Sequence, residues 1–69
     1  MKIHVSNPAL VDDLLEFLRR AECTATADEE GSIDVEVPEA YGAEQARMEI
    51  DLYLKAWQAA HPDVEAHLL

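Results

Sequence analysis

An α+β sandwich of order βαββαβ is the fold this 69-residue chain predicts. Four short segments alternate apolar and polar residues, as half-buried strands do. Two longer segments carry apolar residues at helical spacing. The two middle strands are joined only by Asp28-Glu29-Glu30-Gly31-Ser32, which reads as a hairpin turn.

Each element can be justified in chain order. Ile3 and Val5 alternate with Lys2, His4 and Ser6 over residues 2–6. Asn7-Pro8 then opens a helix, because asparagine accepts from unpaired first-turn amides and proline at the first position gives up only an amide with no partner. Over residues 8–21, Leu10, Val11, Leu14, Leu15, Phe17, Leu18 and Ala21 share one arc at about 100° per residue. Asp12, Asp13, Glu16, Arg19 and Arg20 occupy the other, with acids early and arginines late as the helix dipole favours. Cys23–Ala27 and Ile33–Val37 alternate on either side of the acidic turn, and Pro38 ends the second of them. Gly42 leads into a long helix over Ala43–Ala60 that stops at His61-Pro62. Val64–Leu69 alternates again and reads as a fourth strand.

Right-handed crossovers between interleaved βαβ units give one antiparallel sheet with both helices on one face. This is a ferredoxin-like sandwich of strand order 4-1-3-2, formed by residues 1–69 as a single domain. The competing topology is βαββα with residues 64–69 as a loose tail.

Composition restricts function. A chain of this size buries only about 60% of the surface its unfolded form exposes, which argues against a buried catalytic cleft beside the core. Fifteen acidic against five basic side chains give a formal charge of −10. Nucleic acid and anionic membrane surfaces are therefore poor partners. The acidity is read first as a means of solubility, with a basic partner or cation, or a salt-rich cell, as the other readings. One cysteine, Cys23, excludes an internal disulfide and fits a reducing cytoplasm. No apolar run reaches the roughly 20 residues of a membrane span, and residues 1–5 lack the pattern of a secretion signal.

The candidate chemistry lies on the polar sheet face, where Lys2, His4, Ser6, Thr24, Thr26, Asp34, Glu36, Glu65 and His67 fall together. There His4 is expected beside His67 or Glu65 on one side and Asp34 or Glu36 on the other. Two imidazoles with carboxylates can ligate Zn²⁺ or a similar ion. The same pattern is that of an ordinary solvated face, and no ligand-spacing motif or cofactor-binding motif accompanies it. His61 reads as a helix C-terminal cap, Cys23 as a small buried hydrophobe, and the acidic turn as a solvated hairpin tip.

The second helix carries two apolar stripes. Ala43, Ala46, Ile50, Tyr53, Leu54, Trp57 and Ala60 can meet the sheet, which predicts a buried Trp57. Met48, Leu52, Ala56 and Ala59 lie nearly opposite. They are exposed, covered by the first helix, or buried against another chain.

Val35-Glu36-Val37-Pro38 followed by Ala43-Glu44-Gln45-Ala46-Arg47 resembles a family of small bacterial signal-transducing domains of βαββα order. The resemblance spans about a third of the chain and implies regulation or protein contact, with no specific substrate. The long second helix and the fourth strand depart from that family. Metal chaperones of the ferredoxin-like fold carry CxxC in the first loop, where this chain has Ser6-Asn7-Pro8.

The expected function is a small acidic cytoplasmic interaction or regulatory domain without catalysis of its own. It is expected to form a homodimer through Met48, Leu52, Ala56 and Ala59. The alternative is a small-ligand or metal-binding module built on His4 and His67 with Glu36 and Glu65.

Overall fold

Antiparallel pairing joins four strands, β1 (Lys2–Val5), β2 (Thr24–Ala27), β3 (Ser32–Glu36) and β4 (Ala66–Leu68), in the order β2-β3-β1-β4. This is the predicted order read from the opposite edge. Helices α1 (Val11–Arg20) and α2 (Ala43–Ala60) cover one sheet face. The computed structural model describes residues 1–28 and 30–69. Glu29 of the acidic turn lies outside the described residues.

The core forms where the predicted faces meet. Ile3, Leu14, Leu18, Ile33, Val35 and Ile50 are fully buried, and Val5, Ala25, Leu54, Trp57 and Val64 nearly so. Full burial of one large aliphatic side chain stabilises by roughly 1.5–3 kcal/mol, so these few residues carry most of the favourable term in a domain this small. Lys2, His4, Thr24, Thr26, Asp34 and Glu36 are exposed on the opposite sheet face.

The structure departs from expectation at element ends. The first helix begins as a 3₁₀ turn at Pro8–Leu10, with Asn7 Oδ1 accepting from Ala9 N at 3.0 Å. Cys23 precedes β2 instead of opening it, because the end of α1 claims its amide. Its N–H donates to Leu18 O and that of Glu22 to Arg19 O, each at 3.0 Å. Glu22 has φ +67°, the left-handed conformation that closes a helix in this way and usually falls to glycine. Ala27, expected inside, is exposed at the end of β2. On α2, Ala43 and Ala60 are exposed and Tyr53 half-buried, so the buried stripe narrows to Ala46, Ile50, Leu54 and Trp57.

At the hairpin, Asp28 N donates to Ser32 O at 2.9 Å. The Asp28 Oδ1 accepts from Glu30 N at 2.9 Å and Ser32 N at 3.0 Å. Gly31, just before β3, supplies a positive φ of +81°, a conformation that glycine adopts without strain.

β4 is shorter than the predicted strand, yet it is tied at both ends. Ser6 N donates to Glu65 O and Leu69 N to Lys2 O, both at 2.8 Å. Glu65 N donates to Ser6 Oγ, and Ala66 N to Gln58 Oε1 of α2, each at 2.9 Å. These bonds and buried Val64 decide against the loose-tail topology.

Candidate functional site

The outer face of α2 is the exposed apolar feature of the helical layer. With Ala46, Ile50, Leu54 and Trp57 turned to the core, helical geometry directs Met48, Leu52 and Ala59 to the far side. Met48 is 65% and Leu52 63% exposed, one turn apart. Ala56 and Ala59 are exposed along the same face. Helix α1 leaves Leu52 exposed, while Ala56 borders the groove shared with Phe17 and Arg20 of α1. Lys55 and Asp51, paired at 3.0 Å, flank it.

Two of the grooves that border α2 contain residues of the outer stripe or of the helix end. The larger, about 800 Å³ and open to solvent, runs between α2 and β4 and is lined by Arg47, Met48, Leu54, Lys55, Ala66 and Leu68 among others. Two of the five basic side chains of the chain, Arg47 and Lys55, stand at it, beside Asp51 and His67. The smaller, about 370 Å³, lies between the helices and includes Asp13, Trp57 and His61.

The smaller groove contains a polar cluster that sequence reasoning missed. Trp57 Nε1 donates to Asp13 Oδ2 at 2.9 Å. His61 stacks on the indole, with ring centroids 4.2 Å apart. Its Nδ1 lies 2.9 Å from Trp57 O and its Nε2 3.2 Å from the same Asp13 Oδ2. His61 therefore caps α2 as expected and also bridges to α1. The indole nitrogen and both imidazole nitrogens each have a partner within the cluster, so its geometry accounts for packing without chemistry. The sequence signal was the indole itself, since a buried Trp N–H needs an acceptor.

On the sheet's open face, His4 is the cross-strand partner of His67. His67 Nε2 lies 3.3 Å from Glu65 Oε2. On the other side of His4 the register places Ser32, while Asp34 faces Lys2 and Glu36 faces Thr24. The expected neighbour relation of His4 with Asp34 or Glu36 is thus corrected. The antiparallel register carries Asp34 two residues and Glu36 four residues along β3 from the partner of His4. Among the described residues, no three of His, Cys, Asp and Glu gather as a metal cage.

Among the described residues, two groups have displaced proton affinities. Burial, with the nearby charge of Glu49, pushes the Cys23 thiol up. That disfavours the thiolate a nucleophile needs. The Ser32 and Glu30 amides and Lys2, whose Nζ is 3.4 Å away, hold the Asp28 carboxyl below its ordinary value despite some desolvation. The carboxylate of Asp28 is thereby committed to the turn.

Among the described residues, no helix is long and apolar enough to cross a membrane. Compared with protein-family models, with curated proteins and with solved structures, the chain matches none.

Proposed function

We propose that the chain is a small acidic interaction or regulatory domain of the cytoplasm, without catalysis of its own, that self-associates through the outer face of α2. The observation that carries this reading is the exposure of Met48 and Leu52 one turn apart on a helix whose opposite side is fully used by the core. Flexible methionine and the small residues Ala56 and Ala59 suit close approach of a second helix. A twofold pair of α2 helices uses the same residues on both copies, so one narrow stripe serves both sides of the contact. The weak resemblance to bacterial signal-transducing domains points in the same direction, toward protein contact. The net charge of −10 makes nucleic acid an unfavourable partner.

The experiment is a solution-mass measurement across a concentration series. A dimer is expected for the wild type and a folded monomer for Leu52→Glu, because a carboxylate at that position is penalised only where it loses water. A wild type that stays monomeric at millimolar concentration, or a Leu52→Glu variant that still dimerises, would overturn the reading.

A further inference from the structure

Strand pairing sets two imidazoles side by side on the open face of the sheet. The bonds from Ser6 N to Glu65 O and from Leu69 N to Lys2 O show that residues 65, 67 and 69 direct their backbone toward β1. His4 and His67, aligned between them, therefore form a hydrogen-bonded pair of the antiparallel ladder. In such a pair the Cβ atoms stand about 5 Å apart on the same face. That spacing lets one nitrogen from each ring meet a single ion at the roughly 2.0–2.1 Å typical of metal–imidazole bonds.

A second observation concerns the tautomer. The Glu65 carboxylate, 3.3 Å from His67 Nε2, favours a proton on that nitrogen and leaves Nδ1 with its lone pair. A carboxylate holding the far nitrogen is the usual support of a metal-binding histidine, since it orients the ring and raises its basicity. Competition on this face is small. Ser32, which cannot form an ion pair, is the residue across from His4, and the neighbouring cation Lys2 reaches toward Asp28 at 3.4 Å. The chain's charge of −10 favours approach of a cation.

We infer that His4 and His67 chelate one divalent first-row transition-metal ion, with Glu65 supporting His67 from behind and water completing the coordination. Two imidazoles with no thiolate select the borderline ions, and copper(II) is held most tightly in that series. His67 also borders the groove that Met48 and Ala59 line, but Leu52 does not, so a change at Leu52 leaves both imidazoles in place.

Titration with Cu²⁺, followed by calorimetry and by the electron paramagnetic resonance of the bound ion, tests this. One ion per chain is expected, with nitrogen hyperfine coupling from two imidazoles. Both histidines are exposed, so His4→Ala and His67→Ala should fold normally, and each should bind Cu²⁺ at least about tenfold more weakly. Leu52→Glu should bind as wild type, which separates this result from the fate of the self-association reading. Unchanged affinity in either histidine variant, or a spectrum with one nitrogen or none, would overturn the inference.

Discussion

Trp57 of α2 donates its indole N–H to Asp13 of α1 at 2.9 Å, across 44 positions of chain. This bond and the His61 ring stacked on the indole join the two helices at the edge of the core. The apolar part of Trp57 packs inside, at 2% exposure, while its one polar atom reaches a carboxylate that remains half open to water.

Trp57→Ala is expected to cost roughly 3–5 kcal/mol, the usual loss for a large aromatic core residue and enough to unfold a domain of this size. Asp13→Ala keeps the packing and removes only the acceptor, so it should cost about 1 kcal/mol. Urea denaturation followed by tryptophan fluorescence measures the Asp13 variant, and circular dichroism the Trp57 variant. A well-folded Trp57→Ala protein would show that the indole contributes little to the core.

Glu22 closes α1 in a conformation that costs an L-residue about 1–2 kcal/mol relative to glycine. Glycine at this position also loses more chain entropy on folding, which takes back part of that gain. Glu22→Gly is therefore expected to stabilise the fold by about 0.5–1 kcal/mol, read as a higher urea midpoint with unchanged slope. A lower midpoint would mean that the Glu22 side chain contributes more than its backbone strain removes.

Acid should act through Asp28. Its carboxyl is held below the ordinary value in the folded chain by the Ser32 and Glu30 amides and by Lys2. The unfolded state then takes up the proton first as pH falls. The stabilising contribution is full above the unfolded carboxyl's ordinary value and is lost as pH drops through the lower folded value. Asp28→Ala should be less stable at neutral pH and show a flatter acid limb in a stability–pH profile. Parallel acid limbs in wild type and variant would assign the acid sensitivity to other carboxylates.

The sequence by itself determined the order of elements and the face each presents. Alternation in Ile3/Val5 and Ile33/Val35 and the arc of Leu14, Leu15 and Leu18 are local patterns, and burying one face of a strand or helix leaves no other choice for those residues. Asn7-Pro8 and His61-Pro62 marked helix ends because capping is also local. Tertiary structure alone decided what depends on pairing between distant segments. Val64–Leu69 alternates whether or not it finds a sheet, and its strand exists because Ser6, Lys2 and Gln58 accept or supply its backbone hydrogen bonds. The two apolar stripes of α2 were both legible, but only packing showed that Leu54 and Trp57 turn inward while Met48 and Leu52 stay in water. On the polar face, alternation placed His4, His67, Asp34 and Glu36 together, and the register chose among them. A shift along β3 costs nothing in local periodicity when made in steps of two residues, so only the long-range ladder could set His4 opposite His67 and Ser32, with Asp34 opposite Lys2.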